Sequence, residues 1–313
     1  MVIDVVIIGA GPAGLTAAIY VGRSKLKTLL VEKSFVGGQV LLTELIENYP
    51  GIYQMKSSEW VEAAKKQIAA LSDVKVAEET KVEKIENKGG IFQTHVVSNE
   101  TGLRAIYESK CVIVATGSRA RRLGVKGEEG LIGRGVSYCA TCDGPLFKNK
   151  DVVLVGGGDV AVEEALYLRK FVKSLTIVHR RDELRATAVL QDRVKADKEI
   201  YIKWDSVPVE VLGKTRVEGL KVKNTKSQKE EILPCDGIFV FIGSDPDTGL
   251  LKGVLDLNTV GCVVTDEGMM SSCSGIFAAG DCRVRPFNQV VTACSDGAIA
   301  AFSVRKFLDN KIY

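Results

Sequence analysis

Apolar residues along this chain fall into two kinds of run. Continuous β-branched stretches at 2–8, 28–31, 112–117, 152–158, 175–178, 236–243 and 275–281 carry almost no alternation. Runs of this length predict strands buried on both faces. Apolar positions at helical spacing mark 15–20, 57–71 and 289–308. The second of these places Trp60, Ala63, Ala64, Ile68 and Leu71 on one face. Residues 74–85 and 91–107 alternate apolar and charged, predicting surface strands around a Lys88-Gly89-Gly90 turn. Shorter strands are expected at 200–204, 209–212 and 217–224.

The opening strand–helix–strand succession returns later in the chain. Val152 to Ala161 repeats Val5 to Gly14 at an offset of 147 residues, and the following helix and strand repeat with it. Both junctions are glycine-rich. Gly9-Ala10-Gly11-Pro12-Ala13-Gly14 is a full dinucleotide fingerprint in its strand and helix context, allowing backbone to approach a pyrophosphate at a helix N-terminus. Glu32 ends the second strand, placed to accept from a ribose hydroxyl and to repel a 2′-phosphate. The same offset from Glu32 lands on His179, followed by Arg180, Arg181 and Arg185. Planar guanidinium donors match phosphate oxygens, so this second site is expected to take a 2′-phosphorylated nucleotide, NADP. The plainer alternatives are a glycine turn in an ordinary βαβ unit and a solvated basic helix start.

Ahead of the repeat stands Ser137-Tyr138-Cys139-Ala140-Thr141-Cys142-Asp143-Gly144. Cysteines two residues apart can close a small disulfide ring, and such a pair depresses one thiol's pKa. Asp143 adds a carboxyl able to exchange a proton with a thiolate. The competing reading is half of a zinc site. Structural zinc takes four N/S ligands, there is no second Cys-x-x-Cys, and the chain has 2 histidines, so redox chemistry is favoured.

With 313 residues, 46% hydrophobic and 26% charged, the composition is that of a globular protein long enough for two domains. A net charge of +3 argues neither for nucleic acid nor for a membrane surface. The apolar runs are too short to span a bilayer, and no secretory pattern opens the chain; the expected location is cytoplasmic. The 8 cysteines form no compact disulfide framework, and the six outside the pair read as small buried hydrophobes.

Gly9-x-Gly11-x-x-Gly14, Gly37-Gly38-Gln39, Glu47-Asn48-Tyr49-Pro50-Gly51, Ala115-Thr116-Gly117, the Cys139–Gly144 motif, Gly156-Gly157-Gly158, His179-Arg180-Arg181 and Gly280-Asp281 occur in this order. Together they closely resemble the low-molecular-weight thioredoxin reductases, over nearly the whole chain. The resemblance implies an α/β fold of two Rossmann-like, three-layer ββα nucleotide-binding domains. The NADPH domain (118–244), carrying the cysteine pair, would be inserted into a discontinuous FAD domain (1–117 and 245–313). It also implies FAD and NADPH as cofactors, a homodimer, and thioredoxin as partner.

Position by position, the resemblance puts Gly11, Pro12, Ala13 and Gly14 on the FAD pyrophosphate and Glu32 on its ribose. Gln39 and Asn48 would line the flavin, Asp281 the ribityl chain, and Gln289 and Val290 the ring. Gly158, Asp159 and Val160 would meet the NADPH pyrophosphate, and Arg180, Arg181 and Arg185 its 2′-phosphate. Gly9, Lys33, Gly38, Val82, Ala115, Thr116, Gly117, Gly157, Ala161, His179, Ile242 and Gly243 complete the nucleotide-side set. Cys142 would be the flavin-proximal thiol, Cys139 the thiol that attacks thioredoxin, Asp143 the acid–base group and Arg134 a docking residue. The family rotates its NADPH domain between half-reactions, and 117–119 and 243–245 would be the hinges. Asn288, where the family commonly has arginine, and Cys282 and Cys294 depart from the pattern. Two other functions stay open: a reductase or oxidase serving a different dithiol carrier or small molecule, and a nucleotide-sensing protein on a retired reductase fold. NADPH oxidation with and without thioredoxin separates them.

Overall fold

The computed structural model describes residues 2–310 except Thr43, Glu44, Glu47 and Cys139; the side chains of Leu42, Leu45, Thr141 and Cys142 also lie outside the description. The chain divides into two compact units, Met1–Arg119 with Asp245–Tyr313, and Ala120–Ser244.

The first unit opens with β1 (Ile3–Ile8), α1 (Pro12–Arg23) and β2 (Thr28–Val31), then a short pair, β3 (Leu45–Ile46) and β4 (Met55–Lys56). There follow α2 (Ser57–Ala69), β5 (Val74–Ala77), β6 (Thr80–Lys88), β7 (Ile91–Ser98) and β8 (Arg104–Val114), with β9 (Ser118–Ala120) at the crossing. The second unit holds β10 (Val136–Ser137), α3 (Ala140–Asp143), β11 (Asp151–Gly156), α4 (Asp159–Leu168), β12 (Ser174–Val178) and α5 (Ala188–Ala196). It continues through β13 (Ile200–Lys203), β14 (Ser206–Leu212), β15 (Gly219–Asn224), β16 (Glu230–Pro234) and β17 (Gly237–Phe241). After β18 (Ser244–Pro246) the chain returns to the first unit as β19 (Ile276–Ala278) and α6 (Val290–Asp309).

Each unit is built in three layers. In the first, β5-β2-β1-β8-β19 run parallel, and β6 and β7 join β8 antiparallel. Val5 and Ile7 face the helical layer with Leu15, Ala18 and Val304, while Val6 and Ile8 face the antiparallel layer with Val82, Ile85 and Phe92. Burial on both faces explains the unbroken apolar run of β1, each such side chain contributing ~1.5–3 kcal/mol. The second unit repeats this with the parallel order β10-β17-β11-β12-β13 and an antiparallel layer β14-β15-β16. Its register repeats too: Val5 lies opposite Thr28, and Val152 opposite Leu175, so the offset of the motifs is also the offset of the ladders.

Two local expectations need correction. On α2, Ala64 and Ile68 are buried and Trp60 packs against the same core, but Ala63 points outward and Ser57 and Val61 complete the buried face. The alternating stretch after Ile91 does not end as a surface strand. It breaks at 99–103, and β8 then runs on from exposed Arg104 into the fully buried Val112–Val114 centre, because its first half pairs β7 and its second half β1. β5, read as a surface strand, has no buried residue and forms the outer strand of the parallel sheet beside β2.

Candidate active site

In the first unit the loop from β1 to α1 has no room for side chains. A Cβ on Gly14 would lie 1.8 Å from the Gly9 carbonyl oxygen, and Gly9 itself holds φ +100°. Around Gly11, by contrast, nothing lies within 4 Å of a Cβ position, so the loop is open there, ahead of the α1 N-terminus with Pro12 in its first turn. Glu32 is buried; its Oε2 accepts the Ala10 N–H at 2.8 Å and its Oε1 the Ser34 N–H at 3.0 Å. A carboxylate oxygen has two lone pairs, so each keeps an acceptor site.

Other expected residues gather around this loop. Gly38 abuts Gly11, the Gly37 N–H donates to the Ala10 carbonyl, and Ala115 lies against Gly9. Gly280 touches Ala13, which brings Asp281 to the first turn of α1. Burial raises the Asp281 pKa against the opposing pull of Arg285. Asn48 Nδ2 donates to Gln289 Oε1 at 2.9 Å, and Gln289 caps α6 just before Val290. Gln39 Nε2 donates to Ser118, by the O at 3.1 Å and the Oγ at 2.8 Å. Thr116 and Gly117 follow β8, and the Gly117 carbonyl accepts the Asp247 N–H. Two residues sit differently from the rest. Val82 has its side chain in the core beneath the sheet, and Lys33 Nζ is bound 2.5 Å from Asp247 Oδ2.

The second loop repeats the shape with other chemistry. Gly158 precedes α4, Asp159 Oδ1 accepts the Thr187 N–H at 2.6 Å, Val160 is exposed and Ala161 buried. A Cβ on Gly157 would lie 2.2 Å from His179 Nδ1. That ring is buried, with Nδ1 2.8 Å from the Gly156 carbonyl and Nε2 3.0 Å from the Glu183 carbonyl. Burial lowers its pKa, and Arg185 and Arg180 add to the effect. His179 thus braces the glycine loop from inside and presents no free ring nitrogen to a ligand. Arg180, Arg181 and Arg185 are exposed, and among the described residues none of their guanidinium groups is paired with a carboxylate. Ile242 and Gly243 follow β17, Gly243 at φ +100°.

Cys139 lies outside the described residues, as does the Cys142 side chain. Their frame is described. Ala140 is fully buried in one cluster with Ala161, Ala165 and Leu168, so α3 packs on α4. Asp143 closes α3 half-buried, and the Arg134 side chain is exposed. No group of three or more metal-ligating side chains occurs among the described residues.

The family model for pyridine nucleotide-disulphide oxidoreductases matches residues 3–297. The chain belongs to that family. Among its relatives, a thioredoxin reductase of Treponema pallidum is 44% identical over 98% of this chain and 97% of its own. One of Listeria monocytogenes is 42% identical over 98% and 94%. A crystal structure of Lactococcus lactis thioredoxin reductase superposes with a TM-score of 0.93 at 41% identity, covering 98% of this chain and 99% of that one. The chain therefore stands among the thioredoxin reductases of the family.

Sequence reasoning overlooked the charged support behind the Asp281 segment. Asp296 on α6 is buried, and its Oδ2 accepts from the Gly280 N–H (3.1 Å), Arg283 (3.2 Å) and Arg285 (3.0 Å). Arg285 also donates to the Phe287 and Gln289 carbonyls and to Thr292 Oγ1. The signal was available: Asp296 is the one carboxylate between 290 and 308, in a helix otherwise apolar on its inner face.

Proposed function

We propose that this protein is an NADPH-dependent thioredoxin-disulfide reductase carrying FAD. What supports the reading above all is the contrast of two nucleotide loops in one chain, one closed by a buried carboxylate and one edged by three unpaired guanidiniums, with the Cys139–Cys142 segment between them.

The residues fit the two cofactors. Gly11 and the α1 N-terminus would hold the FAD pyrophosphate, Glu32 its ribose, and Asp281 its ribityl chain. Gly158 and α4 would hold the NADPH pyrophosphate, with Arg180, Arg181 and Arg185 on the 2′-phosphate. Bound FAD supplies hydride acceptance and two-electron transfer toward the Cys139–Cys142 disulfide. Once that disulfide is a dithiol, the Cys139 thiolate attacks one sulfur of the thioredoxin disulfide, whose S–S bond breaks as the mixed disulfide forms. Cys142 then attacks Cys139; the ring disulfide is restored, and thioredoxin leaves as a dithiol. Asp143 carries the proton that Cys142 gives up and the leaving sulfur needs. The protein would act in the cytoplasm as a homodimer through its first unit, whose α1 and α6 expose Tyr20, Ile299 and Phe302.

Anaerobic NADPH titration of Cys139→Ser and Cys142→Ser tests the reading. Both variants should bleach flavin absorbance and both should lose thioredoxin turnover; Cys142→Ser should also trap, as a mixed disulfide, a thioredoxin lacking its resolving cysteine whose remaining thiol has first been converted to an aryl disulfide, Cys139 displacing the aryl thiolate. Near-wild-type turnover by either variant overturns it.

A further inference from the structure

The residue before Cys139 is held by a buried acid that the reaction does not use. Glu128 precedes the short turn Glu129–Leu131 and is 3% exposed. Its Oε1 accepts the Leu123 N–H at 2.7 Å and the Tyr138 hydroxyl at 2.5 Å, and its Oε2 accepts the Gly124 N–H at 2.7 Å. Three donors fix the direction of this carboxyl group, and hydrogen bonds to a carboxylate are short and strong. Burial, reinforced by Glu128, raises the Tyr138 pKa, so the phenol stays a donor.

The segment leading to Cys139 is also held by strand pairing and burial, Val136 and Ser137 both lying inside. β10 is an edge strand making two pairs, Val136 with Ile238 and Ser137 with Phe239. Past Cys139 the chain is anchored again by buried Ala140 against α4. The neighbours on either side, Ala140 by its core packing and Tyr138 by its phenol, are thus both fixed.

We propose that the Tyr138–Glu128 hydrogen bond is a positioning device for Cys139, setting how that sulfur is presented to a substrate disulfide while leaving nicotinamide-to-flavin transfer untouched. This rests on the reductase reading above. Tyr138 would act as a positioning residue, through the backbone of its neighbour. The phenyl ring also packs against the core cluster that holds Leu131, Val136 and Val217, so removing the oxygen alone preserves the packing.

The test uses the full-length flavoprotein with Tyr138→Phe. In the NADPH-reduced enzyme, Cys139 should be alkylated by iodoacetamide several-fold faster than in wild type, located by peptide mass spectrometry. The kcat/KM for oxidised thioredoxin should fall about tenfold, the size of one lost hydrogen bond to a charged group. Flavin bleaching by NADPH should keep its wild-type rate. Glu128→Gln keeps an acceptor for the phenol but turns its NH2 onto the Gly124 N–H, so it should lose at least as much. Unchanged alkylation, or flavin reduction falling in step with turnover, overturns the proposal, even where the variant melts earlier. If wild type fails to turn over thioredoxin, the reductase reading fails on its own, and the alkylation comparison still decides this one.

Discussion

The two βαβ units are one design carried out twice with different residues at the matching points. Their ladders share a register at a constant offset, and in both the residue ending the second strand reaches back to the glycine loop. In the first unit Glu32 accepts from the Ala10 N–H; in the second His179 bonds to the Gly156 carbonyl. An acceptor aimed at an N–H leaves lone pairs for ribose hydroxyls. A buried ring aimed at a carbonyl leaves nothing, and under the proposed reading the binding chemistry would move out to the exposed arginines that follow. Equivalent backbone therefore does not imply an equivalent role for the side chain: the proposal makes Glu32 a ligand, whereas the His179 ring braces the loop.

The largest break in the comparison comes from the third small residue of each loop. Gly14→Ala would drive a Cβ to 1.8 Å from Gly9 O, a backbone atom that cannot swing aside. The variant should purify with most of its flavin absorbance gone, at well over tenfold weaker retention. The matching position already carries a methyl group, Ala161, so Ala161→Gly should lower helix stability by only ~1 kcal/mol and leave flavin content unchanged. Equal flavin loss in both variants would mean the loops are not the distinct sites described.

Next in size is the arginine edge. Replacing Arg180 and Arg181 together with glutamine should raise the NADPH Michaelis constant about a hundredfold, at ~1.5–3 kcal/mol for each charge-assisted contact. NADH use should hardly change. Parallel losses with both nucleotides would place these side chains elsewhere than at a 2′-phosphate.

Much of this was legible before any coordinates. The buried strands, the glycine loops and the repeat all announce themselves because two-sided burial demands continuous apolar residues, and tight turns demand glycine. What stayed hidden depends on pairing over long separations. The merging of an exposed hairpin strand into the central β8, the Asp296–Arg285 support and the Tyr138–Glu128 bond have no local periodicity. His179 is a related case: a histidine beside arginines reads as part of a basic face, and only the packing of Gly157 shows the ring turned inward.

The smallest effect separates the helices of the two units. Counting from the matched glycines, buried Ala17 on α1 corresponds to Glu164 on α4. Glu164 is 8% exposed, its Oε2 has no hydrogen-bond partner among the described residues, and burial, with Glu163 adding to it, pushes its pKa up to about 8. The folded protein thus keeps this proton where the unfolded chain, with an ordinary carboxylate near 4.5, gives it up. Stability should accordingly fall as pH rises through that window and level off above it, since the folded state binds more protons. Holding the proton against each further pH unit costs ~1.4 kcal/mol, so across the whole window the loss is on the order of 5 kcal/mol. Glu164→Gln cannot ionise and should lack this slope, so urea midpoints measured from pH 5 to pH 8 should diverge, with the variant gaining on wild type toward the alkaline end. Midpoints that stay parallel across the range would mean that Glu164 ionises as freely in the folded protein as in the unfolded chain, and the two helices would then differ in sequence but not in electrostatics.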